Sequence, residues 1–75
     1  LGVADDQNLL QKLGQNVRRE RVGRKMTQEK LSELADMDIT NLQRIEAGKY
    51  NTKILSLIRL RDALECEWDV LIPEA

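Results

Sequence analysis

Five residues in the middle of the chain, Ile39, Thr40, Asn41, Gln43 and Arg44, bring together one guanidinium, one hydroxyl, two amides and one branched apolar group. Helical geometry would leave them on the surface that its apolar neighbours do not use. The chemistry of such a set is recognition, not bond making. A guanidinium donates two bonds to the O6 and N7 of guanine, a thymine methyl suits Ile39, and Thr40 and Asn41 can bond to bases or phosphate. An ordinary solvated helix surface has a similar composition, so the setting of these residues decides between the two.

Bond-making chemistry has little to work with. The chain has no His and one Cys, Cys66, with no paired carboxylates in a recognisable arrangement. Neither a catalytic residue, a metal site nor a cofactor is expected. A lone Cys closes no internal disulfide, which fits a reducing cytoplasm. No run approaches the length of a membrane span, and no signal-peptide pattern is visible.

The elements that would position the polar face can be read outward from it. Leu31, Leu34 and Ala35 mark one side of a helix, and Leu42 and Ile45 mark one side of the next. Asp36, Met37 and Asp38 lie between them, enough for a turn only. Small Ser32 lets the two helices cross closely. Asp36 suits the left-handed backbone of a reversal. Met37 points into the corner, and Asp38 is an N-cap.

The flanks are also helical. A first helix starts at Asp5 or Asp6, carries Leu9, Leu10, Leu13 and Val17, and runs to about Gly23; Gly14 offers a place for another helix to come close. Thr27 caps the second helix, which ends near Ala35. The third runs from about Ile39 to Ala47, with Gly48 as its stop. After a loop at 49–52, a fourth helix at 53–64 carries Ile54, Leu57, Ile58, Leu60 and Leu64. A last short turn begins at Glu67 or Asp69 and contains Trp68, Val70, Leu71 and Ile72, and Pro73 prevents its continuation. Leu1 to Ala4 show no pattern and read as a frayed start. The 75 residues have room for one small all-α domain, with no repeat, low-complexity stretch or linker.

Net charge is −1, but it is unevenly placed. Residues 12–61 hold all twelve bases against six acids, whereas residues 62–75 hold five acids and no base. Such a molecule can offer a positive face to phosphates and keep its acidic end away from them, although asymmetry of this kind also serves plain solvation. The Arg18, Arg19, Arg21, Arg24 and Lys25 cluster has two explanations as well, since cations suit a helix C-terminus.

Taken together, Thr27-Gln28, Ser32, Met37, Leu42, Ile45 and the ending Arg44-Ile45-Glu46-Ala47-Gly48-Lys49 resemble the helix-turn-helix of Cro/C1-type, phage repressor-like (Xre) DNA-binding domains. The resemblance continues through Asn51, Leu57, Leu60, Ala63 and Leu64 to Leu71, covering roughly residues 10–72. It departs from the family pattern at Asp36, where Gly is usual. It implies a compact five-helix, lambda repressor-like fold with its helix-turn-helix core at 28–47. It further implies base reading by Ile39, Thr40, Asn41 and Arg44, with Gln43 a lesser candidate. Phosphate contacts would come from Gln28, Lys49 and Asn51, with Asn16, Arg24 and Lys25 weaker, and a structural pair would join Arg21 to Glu46. The apolar C-terminal group would partly close the core and partly form a homodimer surface at Trp68, Leu71 and Ile72, unless all of it is core and the domain is monomeric. The implied partner is a double-stranded operator, with no membrane and no small-molecule substrate. The implied role is that of a small cytoplasmic transcriptional regulator, similar to restriction–modification controller proteins. An antitoxin-like interaction module and the DNA-binding end of a longer repressor are the alternatives.

Overall fold

The computed structural model describes residues 5–74, so the Leu1 to Ala4 start and Ala75 lie outside the described residues. Five helices follow one another: α1 (Asp6–Gly23), α2 (Gln28–Leu34), α3 (Ile39–Glu46), α4 (Ile54–Leu64) and α5 (Trp68–Leu71). Three begin on side-chain caps. Asp5 accepts from the Gln7 N–H, Thr27 from Lys30 and Asp38 from Thr40, each satisfying a donor that the helix itself leaves free.

The first four helices all stop in one way. A left-handed residue (Lys25, Asp36, Gly48 or Glu65) reverses the chain, at φ of 58, 51, 73 and 50°. Its N–H and that of the next residue turn back to carbonyls of the last turn. Asp36 bonds Glu33 and Met37 bonds Ser32, and the same pair of bonds recurs after α1, α3 and α4. This is the Schellman stop, and only Gly48 uses the residue best suited to it.

α1 is the spine. It packs against α3, α4 and α5, while α2 packs against α3 and α4. The core takes Leu13 and Val17 from α1, Leu31 and Ala35 from α2, Leu42 and Ile45 from α3, Leu60 and Leu64 from α4 and Leu71 from α5. Full burial of one such Leu contributes roughly 1.5–3 kcal/mol. Met37 packs on this cluster from the turn. Gly14 sits where α1 crosses α3, and a Cβ there would lie 2.7 Å from the Glu46 carbonyl oxygen and closer still to that of Ile45.

Several apolar residues lie elsewhere than their spacing predicts. Leu34 is exposed, on the rim of an open groove with Met26, Ala63 and Leu64, because Leu31 and Ala35 take the core side of the short α2. Ile54 and Ile58 are exposed together with Leu55. At about 100° per residue, Ile58 lies roughly 160° round α4 from the buried Leu60, so α4 is apolar on both sides and only one side is covered. Leu71, predicted at a dimer surface, has no exposed area in the single chain and belongs to the core. It is the one buried residue of the short α5. Its Trp68 is half-buried, with the Arg61 guanidinium 5.1 Å from the ring centroid.

Candidate nucleic-acid interface

The turn from α2 into α3 fixes the direction of α3, and the buried Leu42 and Ile45 fix its rotation. Thr40, Gln43 and Arg44 are thereby turned to solvent, and Ile39 and Asn41 are partly covered. Arg44 enters no ion pair among the described residues. The five residues predicted to read bases therefore share α3, with a guanidinium, a hydroxyl and an amide exposed on its outer side.

Behind that surface lies a polar lock. Arg21 of α1 donates from Nε to Glu46 Oε2 at 2.7 Å and from Nη2 to Oε1 at 3.0 Å. Its Nη1 donates to the Met26 carbonyl at 2.8 Å. Gln28, at the start of α2, donates from Nε2 to Glu46 Oε1 at 3.1 Å. One carboxylate at the end of α3 is thus held by side chains from α1 and α2. The pair is largely removed from water, with 12% and 5% of the two side chains exposed.

The residues predicted to meet phosphate differ in their freedom. Lys49 and Asn51 are exposed in the loop after α3, and Lys25 is exposed in the first connection. Gln28 has one amide hydrogen engaged by Glu46 and a second left over. Arg24 is occupied by Glu20, to whose carboxylate and backbone carbonyl its Nη1 donates at 2.9 Å. That bond, then the one from Arg19, holds the Glu20 carboxyl below the usual carboxylate range.

Asn16 is engaged within the chain as well, with one amide hydrogen taken and a second left over. Its Nδ2 donates to the Leu71 carbonyl at 2.9 Å, and its Oδ1 accepts from Arg19, whose Nη2 reaches the Val70 carbonyl. Asn16 is a clasp between α1 and α5. The final carbonyls of α5 have no helical partner, and these two side chains supply one.

Two residues escaped the sequence reading. Lys53 is the N-cap of α4 and makes no side-chain cap bond, so the first N–H groups of α4 stay open beside a cation. A cation at the positive end of a helix is the wrong choice for the helix alone, and that mismatch is a signal the sequence carries. Gln7 donates from Nε2 to the Gly48 carbonyl at 3.0 Å, a contact no local pattern announces. Burial pushes the Cys66 thiol up, the opposite of what a nucleophile needs. No described helix is long and apolar enough to cross a membrane.

Comparison with known proteins places this arrangement. The helix-turn-helix family pattern matches residues 17–71. No curated protein matches the chain. Among solved structures, the restriction–modification controller protein C.AhdI from Aeromonas hydrophila is similar, with TM-score 0.80 and 30% identity over 84% of this chain and 96% of its own. The controller protein C.Esp1396I, solved as a tetramer in complex with its natural 35-base-pair operator, has TM-score 0.77 and 32% identity over 84% and 83%. A hypothetical transcription factor, NHTF from Neisseria, has TM-score 0.80 and 26% identity over 97% and 85%.

Proposed function

Since the chain belongs to the Cro/C1-type helix-turn-helix family, we propose that it is a sequence-specific transcriptional regulator that binds a double-stranded operator as a homodimer, with α3 of each copy in the major groove. The observation that carries this reading is the division of α3. Leu42 and Ile45 are buried while Thr40, Gln43 and Arg44 face outward on a helix held from behind by α1 and α2. The operator complex of the similar C.Esp1396I supports it.

In this reading Arg44 bonds guanine, Ile39 meets a thymine methyl, and Thr40, Asn41 and Gln43 add hydrogen bonds at the base edges. Lys49 and Asn51 hold the backbone on one flank, with Lys53 and the open start of α4 beside them. The spare amide hydrogen of Gln28 holds it on the other flank. Lys25 is a further phosphate contact, and Arg24 contributes only if Glu20 releases it. A second copy covers apolar surface that the single chain leaves open: Ile54, Leu55 and Ile58 on the outer side of α4, with Ile72 and the half-buried Trp68 at the C-terminal end.

Selection from random duplex DNA tests the whole reading. A two-fold pair of α3 helices enriches an inverted repeat whose half-sites are centred about 34 Å apart, one helical turn. No enrichment, or a lone half-site bound by a monomer, overturns it.

A further inference from the structure

The segment that leaves α3 is held by the opposite end of the chain. Gly48 is buried and left-handed, and a Cβ on it would lie 2.8 Å from the Gln11 Cα and 3.2 Å from its nitrogen. The first turns of α1 therefore lie directly over the stop of α3. Gln7 completes the contact, donating from Nε2 to the Gly48 carbonyl at 3.0 Å across 41 residues of sequence. Its own backbone N–H is taken by Asp5 at 3.1 Å, so both ends of Gln7 are fixed. A shallow cavity of about 270 Å³ nearby is lined by Asp6, Leu9 and Leu10 of α1 and by Asn51 of the loop.

Beyond Gly48 come Lys49, Asn51 and Lys53, all exposed. The peptide that follows Gly48 is already held on one side, where the Lys49 N–H donates to the Arg44 carbonyl at 3.1 Å, and its carbonyl is the side left to be fixed. The bond from Gln7 holds that second side, so the peptide leading into residues 49–53 is gripped from both α3 and α1. The side chain supplying the bond is itself exposed and adds nothing to the apolar core.

We propose that Gln7 is a positioning residue for the DNA-backbone contact: by bonding the Gly48 carbonyl it fixes the direction in which residues 49–53 leave α3, and so aims Lys49 and Asn51 at a phosphate. The proposal rests on the DNA-binding reading above. Gln7 touches the loop and not the nucleic acid. Its effect passes through Lys49 and Asn51 and leaves the choice of base to α3.

The test is a double-mutant cycle on the full chain. Affinity is measured across a salt series for the selected operator duplex and for an unrelated duplex of equal length. The proteins are the unsubstituted chain, Gln7→Ala, the Lys49→Ala/Asn51→Ala variant and all three substitutions combined. Gln7→Ala is expected to weaken binding to both duplexes by about five- to tenfold. It makes the salt dependence shallower, keeps the operator preference and lowers the melting temperature by no more than a few degrees, as for one hydrogen bond lost. Most of that loss disappears when Lys49 and Asn51 are already alanine. Gln7→Asn, too short to span the gap, behaves like Gln7→Ala. An undiminished loss in the Lys49→Ala/Asn51→Ala background overturns the proposal and makes Gln7 a phosphate ligand in its own right. Unchanged affinity in Gln7→Ala overturns it outright. If the unsubstituted chain binds neither duplex, the DNA-binding reading itself fails, and this proposal with it.

Discussion

Arg21 and Glu46 meet as a two-bond pair, 2.7 and 3.0 Å between the heavy atoms, that joins the C-terminal half of α1 to the last turn of α3. Taking both charges out of water offsets much of their attraction, so the pair is better understood as fixing geometry than as a source of net stability. Removing one partner is another matter. Arg21→Ala leaves a carboxylate with 5% of its side chain exposed and only Gln28 to bond it. A loss of about 3 kcal/mol in denaturant unfolding is expected, with DNA affinity falling in parallel. A variant with unaltered unfolding but weaker binding would make Arg21 a phosphate ligand.

Arg44→Ala separates reading from holding. Selection repeated with this variant should lose its preference at one base pair per half-site, worth about 1–3 kcal/mol, while overall affinity falls modestly. Weakening that is uniform over all positions would move Arg44 to the phosphate side.

Lys49→Ala should show the complementary behaviour. Binding weakens alike for operator and unrelated DNA, and the slope of log affinity against log salt falls by about 1, as for one phosphate neutralised fewer. Fluorescence anisotropy across a salt series measures both.

Two left-handed stops invite stabilisation. Asp36 and Glu65 are exposed and hold φ of 51 and 50°, where a Cβ is unfavourable. Asp36→Gly and Glu65→Gly should each stabilise by about 1 kcal/mol, less any entropy the unfolded chain gains from the added glycine, and raise the melting temperature. Gly14→Ala should do the reverse. Its methyl would press on the Ile45 and Glu46 carbonyls, and a loss of about 2–3 kcal/mol is expected as α1 and α3 are forced apart.

Much of this was legible in the chain. Caps at Asp5 (left open between Asp5 and Asp6 by sequence), Thr27 and Asp38, the reversal at Asp36 and the stop at Gly48 are local matters, settled within a few residues, and helix limits follow from them. The outward surface of α3 followed because Leu42 and Ile45 leave no choice of rotation. Lys25 and Glu65 were not legible as left-handed, since neither has the side chain that usually marks such a site. Leu34, Ile54 and Ile58 were misplaced because spacing shows which residues share a side but not whether a neighbour covers it. Asn16 and Gln7 bond carbonyls 55 and 41 residues away, and only the folded chain brings those partners near.

Glu20 carries a weak acid dependence. Its carboxyl is held below the usual range first by the bond from Arg24 and then by that from Arg19. A lowered folded-state value means stability that is present above the unfolded-state value, about pH 4, and lost as pH falls through the lower, folded one. Glu20→Gln should therefore be slightly less stable than the unsubstituted chain near neutral pH, with the difference closing below about pH 4. The ion pairs sit near the surface, so the gap is small and shrinks in salt. Thermal melts at paired pH values read it.

The near-touching of α1 and α3 at Gly14 governs how the molecule must engage a duplex. At that crossing no side chain separates the two backbones, and with the Arg21–Glu46 pair beside it α3 is set to travel with the whole domain. In the proposed homodimer, any mismatch between the operator's curvature and the two α3 helices would then be absorbed by bending the duplex or by rocking one copy against the other. Operators of equal base content but unequal stiffness should accordingly bind with unequal strength.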